Sequence, residues 1–343
     1  MKNLQVDLSL ISKYRAQLMG IATLGILFCH CPAHVAMPKI LAYAMFIGQT
    51  GNALFMWLSG FGLFYSLSSF YERNESITKW YKKRYVRILV PYLIIFLFPG
   101  FILAMCNSDT DWLRLLSRLT LISYWKYHDC AWFLAVLIPL YAISPLIYRF
   151  LLWRNKVWQN AALMALPLTL IPVLQTGEVV VDTIIHHLPD AMAFIIGMVS
   201  AFYAKKQTSV NVLWFILGGV ICVSLFFLQH RNYSTWYLGL NFFILPILLL
   251  IIKRYDIKWN WLLWLGTISL ESYLTNTTLP SYLKMIPWYH LSMDINFGNY
   301  LGYGIVIIGG LIWAYLIHKL STVIIKKIDY EHYIFRCFSP TKL

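Results

Sequence analysis

Runs of about 20 apolar residues recur along this chain, and they restrict its fold more than any motif does. They lie at 16–36, 49–70, 88–106, 131–150, 158–176, 190–204, 210–229, 234–252, 259–279 and 299–319. A hydrocarbon core ~30 Å thick takes ~20 such residues at about 1.5 Å of rise each. Backbone in lipid must close its own hydrogen bonds, so the segments are read as helices, and the alternating short strands of a membrane barrel are missing from the pattern. The composition agrees, being 59% apolar and 12% charged, against roughly 25% charged in an average soluble domain. Mean hydropathy is +0.64. The expected fold is therefore all-α, a polytopic membrane helix bundle of about ten transmembrane helices. One further apolar stretch, 40–48 between Pro38 and Gly48, reads as a re-entrant or interfacial piece leading into the second helix, or as an extension of it.

Orientation follows from the lysines and arginines, which are retained on the cytoplasmic side. With both termini inside, all of the 28 basic residues fall in cytoplasmic loops except Lys39, Arg114, Arg118, Lys126, Arg231 and Lys284. The formal charge of +14 is thus retention charge, and nucleic acid is not needed as a partner. No small-residue cleavage site precedes the first helix, so that helix is expected to stay. The organisation expected is one transmembrane domain over 1–330 and a short cytoplasmic tail over 331–343.

The six cysteines, Cys29, Cys31, Cys106, Cys130, Cys222 and Cys337, have no framework spacing, and no disulfide scaffold is expected. Cys29-His30-Cys31 has the residue types of a metal site, but neighbours on a helix point about 100° apart and cannot converge on one ion. Asp182, His186, His187 and Asp190 are a better ligand set, yet without supporting spacing they read as the polarity of a solvated outer loop. No metal is expected.

An ionisable side chain at membrane depth costs several kcal/mol and marks function by default. His30 lies inside the first apolar segment, and Glu271 is the acidic residue interior to one, in Leu265-Gly-Thr-Ile-Ser-Leu-Glu-Ser-Tyr-Leu274. Counted from the cytoplasmic starts of their segments, they sit at roughly 20 and roughly 18 Å. A histidine and a glutamate at one depth supply a general base and the carboxylate that holds its tautomer. At the cytoplasmic mouth of the third segment, Arg84 and Arg87 are three apart and share a helical face, a spacing suited to bidentate phosphate binding. Lys79, Lys82 and Lys83 beside them read as topology charge with anionic lipid attached.

Five ordered blocks now come together. They are Met19-Gly-Ile-Ala-Thr-Leu-Gly-Ile-Leu-Phe-Cys-His30, Leu54-Phe-Met-Trp-Leu-Ser-Gly-Phe61, Arg84-Tyr-Val-Arg87 with Pro91, Ala131-Trp-Phe-Leu134 with Tyr141 and Ser144-Pro145, and Ile268-Ser-Leu-Glu271-Ser-Tyr-Leu274. In this order they resemble the acyltransferase-3 family of integral-membrane enzymes that O-acylate bacterial surface glycans. The resemblance implies a catalytic His30 and a functional Glu271. It implies that Arg84 and Arg87 hold an acyl-CoA donor, acetyl-CoA by family habit, with no permanently bound cofactor. Substrate contacts fall to Ser59, Trp132, Tyr273 and Asn276, and the acceptor is a glycan or lipid-linked sugar. Bacterial inner-membrane location, within a lipid bilayer, follows from the same resemblance. Two positions depart from the family pattern. Met19 stands where members carry an arginine, so Arg15 one turn earlier is the substitute candidate. Asn276 stands where the last block commonly ends in histidine. The hydrolase-like second domain that many members carry is not expected here.

The chemistry expected is proton removal from a sugar hydroxyl by His30, oriented by Glu271, as that hydroxyl attacks the thioester carbonyl, with Ser59 or Ser269 nearby. A covalent acyl-His relay stays open. The competing class is a proton-coupled transporter or flippase of a polar lipid or glycan, which inverted repeats would favour and which the halves of this chain do not display. A receptor or scaffold would leave the buried acid unexplained.

Overall fold

A computed structural model of the chain describes residues 5–31, 37–106, 112–128, 131–153, 156–174, 177–228, 232–255, 259–283 and 296–338. Strand β1 (Gln5–Asp7) precedes helices α1 (Ser9–Cys29), α2 (Lys39–Phe46), α3 (Thr50–Glu72), α4 (Ile77–Cys106), α5 (Trp112–Leu119), α6 (Ile122–Tyr127), α7 (Trp132–Trp153), α8 (Val157–Leu174), α9 (Val179–His186) and α10 (Leu188–Lys205). Strand β2 (Ser209–Asn211) is followed by α11 (Val212–Leu228), α12 (Tyr233–Tyr255), α13 (Asn260–Thr267), α14 (Ser269–Leu283) and α15 (Asn296–Phe338). The fold is all-α, a polytopic helix bundle. Among the described residues, five stretches are long and apolar enough to cross a membrane: Lys39–Glu72, Trp132–Trp153, Val179–Lys205, Tyr233–Tyr255 and Gly302–Ile328.

Among the described residues the apolar segments lie largely in helix, and the departures have local causes. The segment 259–279 divides at Ile268, between α13 and α14, where Thr267 turns its hydroxyl back onto the carbonyl of Trp264 at 2.6 Å. The stretch 40–48 is helical and, through a 3₁₀ turn at Ile47–Gln49, lengthens α3. Helix α15 is 43 residues long, about 64 Å at the standard rise, and passes the expected boundary at 330. Strands of three residues carry no hydropathy signal, so the antiparallel ribbon of β1 and β2, with Val6 opposite Val210, was not anticipated.

The chain forms two compact units, Met1–Glu75 with Leu121–Ser269, and Ser76–Thr120 with Leu270–Leu343. In the first, α3 and α10 run parallel and touch backbone to backbone. A Cβ added at Gly60 would stand 2.0 Å from the carbonyl oxygen of Phe194, and one at Gly197 would stand 1.9 Å from that of Trp57. Lipid removes the hydrophobic drive between helices, so close van der Waals approach of this kind is what binds them. Helix α1 meets α13 likewise, through Gly20 and Gly266. Proline at 145 deprives the carbonyl of Tyr141 of its helical donor, and the Ser144 hydroxyl supplies a replacement at 2.8 Å.

One end of this unit carries the ribbon. There Lys205, closing α10, reaches Ser68 and Glu72 of α3, and Asp7 feels the charge of Lys253 at the end of α12. These are termini and loops that the basic residues assign to the cytoplasm. The opposite end gathers the first turns of α3, α7, α10 and α12. In the second unit α4 packs on α15, and α14 meets α15 through Thr275, whose hydroxyl donates to the carbonyl of Gly310 at 3.0 Å.

Candidate functional site

At that opposite end of the first unit lies a cavity of about 230 Å³, walled by Gln49 of the 3₁₀ turn, Asn52 of α3, Tyr124 of α6, Trp132 of α7, His186, His187 and Asp190 at the α9–α10 junction, and Tyr233, Ser234 and Tyr237 of α12. The junction is built by sequence. Leu188-Pro189 opens α10 with proline in the first helical turn, where its missing N–H is harmless, and Asp190 follows in that turn where the helix dipole favours a carboxylate. Helix α6 is a short piece held between Leu121 and His128, both left-handed with φ of 62° and 51°. Non-glycine residues adopt that conformation at a cost, here offset on one side by His128, whose Nε2 bonds Thr183 at 2.8 Å.

The polar side chains at this end form a directed chain. His187 and Asp190 are 6% and 3% exposed, and Nδ1 of the imidazole lies 2.8 Å from Oδ2 of the carboxylate. A carboxylate accepts only, so Nδ1 carries the proton. On its other side Nε2 lies 2.5 Å from the phenol oxygen of Tyr124. Trp132 stacks on the same imidazole, centroids 5.0 Å apart and planes 12° apart. Asp190–His187–Tyr124 is thus one hydrogen-bonded line from a buried acid to the cavity wall.

The residues named from the sequence fall unevenly on this geometry. Trp132 lines the cavity. His30 is not a mid-helix residue but the C-cap of α1, because the helix starts at Ser9 and its ladder ends at Cys29. Its end of α1 is nevertheless the cavity end: Gly25 abuts Gly48, and Ala22 abuts Gly51, flanking Gln49 and Asn52. Arg15 uses its Nε–H on the carbonyl of Leu58 at 3.0 Å and lays its guanidinium over Gly62, which ties α1 to α3. Ser59 is buried in α3 away from the cavity wall.

The second unit holds the others. Glu271 is 6% exposed in the first turn of α14, and the imidazole bonded to it is His318 of α15, with Nδ1 and Oε1 3.0 Å apart. The sequence pairs this carboxylate with His30, whereas its hydrogen bond goes to His318; His30 caps α1, and Glu271 follows the break at Ile268. Tyr273 and Asn276 are buried on the same helix. Among the described residues, both amide atoms of Asn276 and the hydroxyls of Ser272 and Ser321 are buried without a hydrogen-bond partner. Arg84 is half-buried and Arg87 exposed on α4.

Sequence reasoning missed His187 with Asp190, and His318. The first pair was taken for solvated loop polarity, although Leu188-Pro189 signals a helix start that would have put His187 and Asp190 on one turn. His318 gave no signal, since its partner is 47 residues away. A family profile described as an acyltransferase domain matches residues 18–319. No curated protein matches the chain, and no solved structure does.

Proposed function

The chain belongs to the acyltransferase-3 family and is a membrane acyltransferase, and from that premise we propose that it transfers an acyl group, acetyl first of all, from acyl-CoA to a hydroxyl of a cell-surface or exported glycan. The observation that carries the acceptor half of this reading is the cavity beside the His30 end of α1, polar and aromatic at once, and smaller than the ~300 Å³ where drug-sized sites begin. The donor half rests on the guanidiniums of Arg84 and Arg87, three apart at the start of α4, which suit the anionic head of a CoA thioester. Glu271, His318, Tyr273 and Asn276 belong to the same unit as the arginines and line the donor's side of the reaction.

His30 takes the proton of the acceptor hydroxyl as its oxygen bonds to the thioester carbon. The carbon–sulfur bond breaks, and the proton passes to the departing thiolate, leaving an ester and free CoA. The enzyme works in a bacterial inner membrane as a multi-pass protein, with donor loaded from the cytoplasm and acceptor presented at the outer end. Replacing His30 with Ala at unchanged membrane expression is expected to lower transfer by roughly 10²–10⁴-fold, the weight of a general base. Mass spectrometry of surface glycan from cells carrying the variant reads this, and glycan acylated as in the parent overturns the proposal.

A further inference from the structure

Helix α14 satisfies most of its side-chain polarity and leaves one stripe unmet. Thr275 donates to the carbonyls of Ser272 and Gly310, and Thr277 and Thr278 donate to that of Leu274, while Glu271 pairs with His318. Ser272 and Asn276 differ. They are 1% and 4% exposed, yet the Ser272 hydroxyl and both amide atoms of Asn276 are buried without a hydrogen-bond partner. Four residues apart, they share a helical face, with Cβ atoms about 5–6 Å from each other. Flipping the amide would exchange its nitrogen and oxygen and pair neither, since both are unmet. Polar groups buried in this way are unfavourable until something hydrogen-bonds them. The two atoms of Asn276 restrict what that is. An acyl chain offers neither a donor nor an acceptor. A phosphate or carboxylate only accepts and would leave Oδ1 unmet, and a metal ion would leave Nδ2 unmet. Amide groups supply an N–H for Oδ1 and a carbonyl for Nδ2.

We infer that Ser272 and Asn276 form a subsite for the pantetheine arm of the acyl-CoA donor, Asn276 hydrogen-bonding one of its two amides and Ser272 the other. This deepens, and rests on, the transferase reading above. The arm carries two secondary amides with two methylenes between them, one carbon more than in a peptide, whose units repeat every ~3.8 Å, so the amides recur about every 5 Å. That spacing is close to the separation of residues one helical turn apart. The two residues also belong to the compact unit that holds Arg84 and Arg87. There α4 packs on α15, and α15 is joined to α14 through Thr275 and Gly310. The arginines take the charged head of the donor, and the amide stripe of α14 takes the neutral arm, which no charged side chain could recognise.

The test uses the full chain purified into nanodiscs and two probes titrated calorimetrically: CoA, and adenosine 3′,5′-bisphosphate, which keeps the charged head and lacks the arm. Asn276→Ala and Ser272→Ala should each weaken CoA about tenfold, the effect of one lost hydrogen bond, and leave the bisphosphate at its parental affinity. Arg84→Ala should weaken both probes. The arm dependence separates recognition from a merely structural role, because a disturbed fold would lower the two affinities together. Where Asn276→Ala does not fold, Ser272→Ala, the removal of one unpaired hydroxyl, carries the comparison alone. CoA bound by both variants as tightly as by the parent overturns the subsite and assigns the unmet atoms to ordered water, with the transferase reading left standing. Equal weakening of CoA and the bisphosphate overturns it as well. A parent chain that binds no CoA sinks the transferase reading, and the subsite falls with it.

Discussion

Helices of the first unit meet through glycine, and those of the second through polar side chains. At Gly60, Gly197 and Gly266 a Cβ would lie within about 2 Å of a carbonyl oxygen on the neighbouring helix, so two helix pairs, α3 with α10 and α1 with α13, are fixed at backbone distance. At Gly309 and Gly310 the nearest atoms are 3.7 and 3.8 Å away, ordinary contact, and α14 is held to α15 by the Glu271–His318 pair and by Thr275 on Gly310. Backbone contact gives a frame with one arrangement, which is what a cavity with fixed donors and acceptors needs. Polar contacts between helices in lipid are worth only ~0.6–2 kcal/mol each, and Asn276, Ser272 and Ser321 leave part of that capacity unused. The first unit is built to hold a shape; the second keeps polar groups in reserve along the helix that carries Glu271.

The sharpest way to break this contrast is to add one methyl group to each unit. Gly197→Ala drives a Cβ into the carbonyl of Trp57, where neither helix can yield without moving the other, and should cost about 3 kcal/mol or more. Gly310→Ala should fall within about 0.5 kcal/mol of the parent. Thermal unfolding in the same detergent compares the two, and equal losses would erase the distinction. Next in size, a double-mutant cycle on Glu271→Gln and His318→Gln should return a coupling of about 1–2 kcal/mol in stability. Additive losses would mean that the pair seen at 3.0 Å contributes nothing as a pair.

The proposal that the arginines of the second unit hold the donor can be sharpened kinetically. Arg84→Ala and Arg87→Ala should each raise the KM for acetyl-CoA about tenfold, more at low salt than at high, and leave the KM for the glycan acceptor in place. A shift in the acceptor KM instead would move the arginines out of the donor site.

Much of this architecture was legible because lipid imposes a length rule: a crossing must be about 20 residues long and apolar, and the described residues of the segments found that way are largely helical. The rule reads hydropathy, not hydrogen bonds, so it could not see that α1 stops at Cys29 or that the apolar run through Leu265-Gly-Thr-Ile268 breaks. For the same reason it read His30 as a mid-helix residue, whereas His30 caps α1. Glu271 stood out because an acid in an apolar run is costly wherever its partner is. His318 did not, because the pairing is tertiary. His187 and Asp190 were hidden by the reverse error, a polar stretch taken for water-facing loop when the fold turns it inward and buries it.

The smallest effect is expected at the ribbon end of the first unit, where shape is kept by a cap rather than by glycine. Asp7 accepts the backbone N–H of Ser9 at 2.9 Å as α1 begins. The hydrogen bond from the Ser9 side chain, with that amide and the charge of Lys253, holds its carboxyl below the ordinary aspartate range despite partial burial. A carboxyl with a depressed folded value contributes stability that is complete above its unfolded value and lost as pH falls through the folded one. Removing it with Asp7→Ala should therefore cost about 0.5–1 kcal/mol at neutral pH, the range of a helix cap, and progressively less as the solution is acidified toward pH ~3. Melting temperatures of parent and variant measured side by side from pH 7 downward should converge. A gap that stays constant would assign the contribution of Asp7 to the β1–β2 ribbon it closes, opposite Ser209, and not to its charge at the helix start.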